Sequence, residues 1–460
     1  MSNSDLEFRE GEYGESVLTV EPGGIEAIPD KDRHGKAKQL FATWMSPNLE
    51  FATIYVGALG VFFGLSFGEA VIGILIGNLL GAAAQYVLTQ DGPRYGVPQM
   101  VLGRAAFGKI GNALPSLANA GAAGIGWFAV NSASGAFALS TLTHMNEVTS
   151  LVIIVIIQVV VAAVGHNLIQ SVERYLMPFL AIVFGFAAVI ALTTSHPNSP
   201  SHPYFPGAFL VFVGAIYGYA AGWNPFSADY ARYLPKSEDP KQAGKSAALG
   251  LFVSATVLEI VGAAAVTGGM ADYGPKTNPV TSFVAILPTW LGKLLLLGIV
   301  LGSVCANVLN IYSGSMSFLT IGINIHAKLR RALAIIVFAI PGFFLAKWAM
   351  NDPKTHLENF LLVMSYWIGP WLGVFLADKL LRKGASVEHF LFTKRENWAG
   401  PFSFAVATAL SIWLFANQKF YTGVVPKHNG NFGDIAFPVG FAIAFLLYSA
   451  IAGKKVISER

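Results

Sequence analysis

Long apolar stretches alternate with short polar connections along almost the whole chain. Continuous apolar runs lie near 41–63, 67–89, 110–142, 148–165, 172–194, 208–226, 246–268, 293–325, 331–347, 357–381, 401–417 and 434–452. About 20 apolar residues are what a helix needs to cross hydrocarbon, so the pattern predicts an all-α polytopic membrane protein with twelve transmembrane helices over 41–452. Residues 1–40 form a polar tail with nine acidic and five basic residues. Because no basic segment leads straight into an apolar core, the tail is expected to be neither a signal nor a transit peptide. It and the short C-terminus at 453–460 are expected to lie in the cytoplasm.

Composition sharpens this picture. Of 460 residues, 54% are hydrophobic and 12% charged, against about 25% charged in an ordinary soluble domain. A soluble enzyme is excluded, and no separate soluble domain fits between the runs. The 48 glycines and 23 prolines suit close approach and deliberate breaks in membrane helices. Cys305 is the only cysteine, which excludes an internal disulfide, and no Cys/His spacing resembles a metal site; no cofactor is expected. Gly244-Lys245-Ser246 resembles the end of a phosphate loop, but Asp239 stands where that pattern needs its first glycine, so ATP drive is unsupported. If the N-terminus is inside, 24 Lys and Arg residues fall in cytoplasmic segments and 6 outside. That bias predicts a multi-pass protein of the cell membrane with both termini cytoplasmic.

Two of the runs are interrupted. The first reads Trp44-Met45-Ser46-Pro47-Asn48-Leu49-Glu50-Phe51-Ala52-Thr53, and the sixth reads Gly218-Tyr219-Ala220-Ala221-Gly222-Trp223-Asn224-Pro225-Phe226. Proline and polar side chains free backbone groups that hydrocarbon cannot satisfy. One such kink can be purely structural; breaks at corresponding positions in two halves point to a substrate site at the midplane of a secondary transporter.

Further polar residues converge on the same reading. Trp127 and Asn131 are four apart and share a helix face, an aromatic plate with an amide suited to the edge of a flat heterocycle. Trp44, Trp290, Trp348 and Trp398, near span ends, are instead expected in the interfacial belt. Asn307 and Asn310 share a face of the eighth span, where an amide can bind ligand or bond a neighbouring helix. Glu50 and Glu259 are intramembrane carboxylates, functional candidates by default. Glu69 and Asp378 sit near span ends and are expected to be solvated. Glu173, beside Arg174 at the opening of span five, suits an ion pair or gate as well as a substrate role.

At these residues the chain resembles the nucleobase-cation symporter family, in its purine-cytosine permease type. The resemblance covers about residues 24–450 and rests on Gly57-Ala58-Leu59-Gly60, Gly92-Pro93-Arg94-Tyr95-Gly96 before Phe107-Gly108, Gly126-Trp127-Phe128, and Gly222-Trp223 running into Ala228-Asp229-Tyr230. It implies a LeuT-type fold of five-plus-five inverted repeats, 41–194 and 208–381, with two additional helices over 401–452. It also implies a base held between Trp127 and Trp223 and read by Asn131 and Asn310. A polar contact that several relatives place in span one falls on Ala52 here, leaving Thr53 or Glu50 to substitute. The register of the hydroxyls that bind sodium in some relatives lands on Val304 and Cys305, with Ser303 one residue away, so a proton is the favoured coupling ion over sodium.

The expected function is therefore import of a nucleobase, cytosine or a purine, by a proton-driven symporter working through alternating access. The alternative is a sodium-coupled carrier of hydantoin, allantoin or a vitamin-like heterocycle. Expected partners are the small heterocycle and the lipid bilayer, with no nucleic acid polymer and no obligate protein partner. A membrane-embedded enzyme would need clustered charged residues in loops at one face, and a channel a continuous polar pore; neither pattern is visible.

Overall fold

The computed structural model describes residues 6–8, 24–164, 166–198, 206–271, 276–322 and 327–460, with side chains described outside 162–175 and 327–335. A chain in lipid must satisfy its backbone internally, which apolar runs do as helices. The first run becomes α1 (Leu40–Met45), a 3-10 turn at Ser46–Asn48 and α2 (Phe51–Phe62). Then follow α3 (Phe67–Thr89), α4 (Ala113–Gly121), a π turn over Ala122–Trp127, α5 (Phe128–Thr143), α6 (Glu147–Val164) and α7 (His166–Thr193). The second broken run is α8 (Ala208–Ala221), a 3-10 turn at Asn224–Phe226 and α9 (Ser227–Ala231). Next come α10 (Pro240–Thr267), α11 (Thr289–Thr320), α12 (Ala327–Ala349), α13 (Pro353–Arg382), α14 (Ala399–Phe415) and α15 (Ala436–Ser458). Between α14 and α15 lies a two-residue antiparallel hairpin, Asn417–Gln418 against Tyr421–Thr422. Among the described residues, seven helices are long and apolar enough to cross a membrane, and shorter apolar helices accompany them. Glu173 and Arg174 fall in α7 where side chains lie outside the described residues.

The two broken helices occupy the centre, and every residue of α2 and of α8 from Val211 onward is buried. Small residues let neighbours reach them. A Cβ at Gly57 would lie 1.8 Å from the Glu259 carbonyl oxygen, and one at Gly262 would lie 1.7 Å from that of Ile54, so α2 and α10 meet backbone to backbone. On α3, Gly73, Gly77 and Gly81 recur every fourth residue and receive Phe212, Ile216 and Ala220 of α8. Leu79, Phe344 and Leu446 point outward as exposed apolar side chains, as a lipid-facing surface requires.

The N-terminal segment straps one face of this bundle. Ile28 N–H donates to the Gly96 carbonyl at 2.9 Å, His34 N–H to that of Tyr233 at 2.7 Å, and Ala37 N–H to Glu238 Oε2 at 2.7 Å. Arg33 is buried, its Nη1 donating to the Pro93 carbonyl at 2.8 Å. Burial pulls its guanidinium below the usual arginine range, against the attraction of Asp30. Gly96, at φ +70, leaves the space Arg33 occupies, for a Cβ there would sit 2.0 Å from Nη2.

Two expectations about span ends need correction. Trp44 is not in an interfacial belt: it is fully buried, with ring centroids 5.9 Å from Trp223 and 5.5 Å from Tyr230. The break after α1 turns it inward against the other broken helix. Asp378 is not solvated either. It is 4% exposed, accepts from Arg382 Nε at 2.8 Å and from the Tyr448 hydroxyl at 2.7 Å, and ties α13 to α15. Trp290, Trp348 and Trp398 are exposed, and Glu69 is exposed in a capping box with Ser66.

Candidate functional site

The site is built where the breaks in the first and sixth runs face one another. Leu49 leaves the helical region at φ −77, ψ 67, and Glu50 is extended, so α2 starts afresh with Glu50 as its N-cap, accepting from Ala52 N–H. The other carboxylate oxygen, Oε1, is buried without a hydrogen-bond partner, and Ser134 of α5 stands beside the group. Thr53 donates to the Asn48 carbonyl at 2.7 Å and pairs with the Tyr219 hydroxyl. Asn48 Oδ1 lies 3.3 Å from that hydroxyl and accepts from Trp223 Nε1 at 3.0 Å. Asn48, Thr53, Tyr219 and Trp223 thus lock the two breaks together.

Trp127 enters from α5 through the π turn, a distortion frequent at functional sites. Gly124 and Gly126 permit it: a Cβ at the first would lie 2.4 Å from Phe338, and one at the second 2.4 Å from Phe360. The indole is 5% exposed, edge-on to Phe360 at 4.9 Å and to Tyr219 at 5.5 Å, and it lies over Gly222. Trp223 packs instead against Trp44 and Phe226. Trp127 thus meets α8 through Tyr219, and Trp223 meets the first break through Asn48 and Trp44.

One turn along α5 an amide chain begins. Asn307 Oδ1 accepts from Asn131 Nδ2 and from Asn310 Nδ2, each at 3.2 Å, while Asn307 Nδ2 donates to the Phe128 carbonyl at 2.9 Å and to Ser132 Oγ at 3.0 Å. Ser132 donates to Gln158 Oε1 at 2.8 Å, and Gln158 Nε2 donates to the Ser303 carbonyl at 3.2 Å. The Ser303 hydroxyl donates to the Val300 carbonyl at 2.8 Å. Asn310 Oδ1 is buried without a partner, an acceptor that a ligand N–H would satisfy. Asn131, Asn307 and Asn310 are thus one unit rather than separate contacts. The Leu49 carbonyl approaches this region, 2.6 Å from a Cβ placed at Gly302.

Glu259 sits apart, on α10. It is buried, accepts from Asn78 Nδ2, and keeps Oε1 without a hydrogen-bond partner. Tyr219 lies within electrostatic reach of both Glu50 and Glu259. A cavity of about 450 Å³ is lined by Phe51, Ala52, Gly126, Ser134 and Phe360 and reaches Phe420 on the hairpin between α14 and α15; Trp127, Asn131, Trp223 and Asn310 do not line it. Sequence reasoning singled out neither Tyr219 nor Asn48 nor Phe360 as site residues. The first two stand inside the break motifs; Phe360 carries no signal, because an aromatic in an apolar run looks like core. Among the described residues no group of His, Cys, Asp and Glu could hold a metal ion.

Comparison with known proteins identifies the class. Residues 27–440 match the family described as permease for cytosine/purines, uracil, thiamine, allantoin, and the chain belongs to this nucleobase-cation symporter family. It is 30% identical over 455 residues to YxlA of Bacillus subtilis, provisionally named a purine-cytosine permease, covering 95% of this chain and 97% of that protein. It is 26% identical over 460 residues to the purine-cytosine permease fcyB of Emericella nidulans, covering 94% of this chain and 88% of that one. The fold is shared with Mhp1, a nucleobase-cation-symport-1 family transporter solved in a closed conformation with bromovinylhydantoin bound: TM-score 0.73 at 18% identity, over 96% of each chain. The protein is a membrane transporter of the nucleobase type.

Proposed function

We propose that this chain is a secondary active symporter that imports a nucleobase, cytosine or a purine, by alternating access driven by protons. Its membrane domain is read as twelve spans, the first ten forming two inverted repeats, with both termini cytoplasmic as the basic-residue bias indicates. The observation that carries this reading is the meeting of two helix breaks at an aromatic and amide site: Tyr219 edge-on to Trp127, and Asn310 Oδ1 buried without a donor at the end of the Asn131–Asn307 chain. In this reading the base stacks on Trp127 and its edge meets the amides, with Thr53 and Trp223 completing the break. Glu50 is the coupling group because its carboxylate caps the restarted helix while one oxygen stays unpaired.

The deciding measurement is uptake of labelled cytosine and purines into vesicles holding the purified protein. Accumulation against a gradient that collapses with an uncoupler supports the proposal; equilibration without accumulation sinks it. A sodium-coupled carrier of hydantoin, allantoin or a vitamin-like heterocycle is the second reading, favoured by the Leu49 carbonyl beside Gly302 and Ser303. Accumulation that requires sodium and withstands the uncoupler would select it.

A further inference from the structure

A second cavity, of about 990 Å³, opens where the end of α3, the start of α10 and the end of α13 come together. No residue of the Trp127 site lines it. Its charged lining is Arg94, Lys236, Lys241, Lys379, Arg382 and Lys383 against Asp91, Asp239 and Asp378. The three carboxylates are already engaged: Asp91 pairs with Lys379, Asp378 holds Arg382 at 2.8 Å, and Asp239 caps α10 by accepting from Lys241 N–H at 3.0 Å. Lys236 reaches Asp30 at 3.2 Å. The side chains of Arg94, Lys241 and Lys383 form no ion pair among the described residues, and Arg94 Nη2 donates to the Gly384 carbonyl at 2.8 Å. Arg382 is 2% exposed and pairs with Glu459 at 3.4 Å as well as with Asp378, yet its Nη1 finds no acceptor. The cavity thus holds cationic donors in excess of acceptors. Apart from Gln90 and Tyr95 its remaining wall is mostly apolar, with Phe375, Leu376 and Leu380 along α13, and Leu380 is 64% exposed.

We propose that this cavity is a binding site for an anionic glycerophospholipid, with the phosphate held among Arg94, Lys241, Arg382 and Lys383 and an acyl chain laid along α13. Basic pockets between the ends of membrane helices bind anionic headgroups in this way. The apolar wall running out to an exposed leucine favours an amphiphile over a soluble anion, which would have no use for it. A lipid seated here bridges α10, which packs on the broken helix α2 through Gly57 and Gly262, and α13, which packs on α8 at Gly218.

The test uses the full chain, purified and delipidated, in native mass spectrometry with phosphatidylglycerol, phosphatidylcholine of the same acyl chains, or inorganic phosphate. Phosphatidylglycerol is expected to bind in preference to phosphatidylcholine. In Lys241→Gln/Lys383→Gln that preference is expected to fall by roughly thirtyfold, if each lysine acts as a near-surface cation does, while cytosine binding stays unchanged. Equal binding of the two lipids overturns the proposal, and so does a double variant that keeps the wild-type preference. Binding of inorganic phosphate as tight as that of phosphatidylglycerol overturns it in favour of a soluble anion. Should the double variant fold poorly, the comparison of the three probes on the wild-type chain still decides.

Discussion

Trp223 Nε1 donates to Asn48 Oδ1 at 3.0 Å, joining the break of one helix to the break of another 175 positions away. Tyr219 also meets Asn48 Oδ1 but has Thr53 as a second partner, so loss of this shared acceptor strands the Trp223 N–H. Trp223→Phe removes one donor and keeps most of the ring, so it is expected to cost about 1 kcal/mol of stability. Asn48→Leu leaves the Trp223 N–H unmatched while Tyr219 keeps Thr53, and it is expected to cost more, about 1–3 kcal/mol for the stranded group. Thermal unfolding of the detergent-solubilised variants checks the order; equal midpoints for both variants and wild type would remove the bridge from the account.

Asn131 is one end of the amide unit that runs through Asn307 to Asn310. If it reads the base edge, Asn131→Ala should weaken substrate binding by about 1–3 kcal/mol, or roughly five- to hundredfold. Asn307→Ala should do so at least as strongly, because it frees Asn131, Asn310 and Ser132 together. Equilibrium binding on correctly folded, surface-expressed variants checks this, and wild-type affinity in Asn131→Ala would place the base elsewhere.

Stacking is separable from edge reading. Trp127→Ala should weaken every accepted base by about 1–3 kcal/mol, while Trp127→Phe should be milder because the aromatic face remains. A loss confined to one base would contradict a stacking role for the ring.

The sequence carried much of this arrangement because membrane helices announce their exceptions. Proline and asparagine inside apolar runs located both breaks, with a carboxylate in the first and glycine in the second, and Trp127, Asn131, Asn307 and Asn310 were visible as polar or aromatic residues sharing helix faces. What stayed hidden depends on how the helices turn about one another. Trp44 and Asp378 look like span-end residues by position, yet the inward turn after α1 and the packing of α15 on α13 bury both. The π turn before Trp127 leaves no mark beyond its glycines, and those are equally explained by the close approach of Phe338 and Phe360.

Gly57 tests the backbone contact between α2 and α10. In an unobstructed helix Gly→Ala stabilises by about 1 kcal/mol, but a Cβ at 57 would meet the Glu259 carbonyl at 1.8 Å, whereas one at Gly68 meets nothing within 4 Å. Gly57→Ala is therefore expected to lower the folded yield and unfolding temperature sharply, and Gly68→Ala to leave both level or slightly raised. Size-exclusion profiles after solubilisation read the difference, and a well-folded Gly57→Ala protein would show that the two helices can separate freely.

Coupling makes the last prediction, and it turns on Glu50. A symporter requires ion and substrate each to raise the other's affinity by the same factor, so the coupling group must sense the break that forms the substrate site. Glu50 meets this condition: one carboxylate oxygen accepts from Ala52 N–H at the restart of α2, and the other is buried without a hydrogen-bond partner. Protonation would give Oε1 a donor to offer and remove a charge from between the broken helices. Glu259, on α10, is engaged by Asn78 of α3 instead. Substrate affinity is accordingly expected to fall as external pH rises, and replacement of sodium by choline to have little effect. Glu50→Gln keeps an oxygen for the cap but cannot titrate, so it should bind substrate with a flat pH profile and fail to accumulate it. Glu50→Ala loses the cap as well and should be destabilised by about 1 kcal/mol. Binding measured from acid to alkaline pH in wild type and Glu50→Gln decides the matter: a variant whose pH response matches wild type would transfer the role to Glu259, and uptake that demands sodium would transfer it to the region of Leu49 and Ser303.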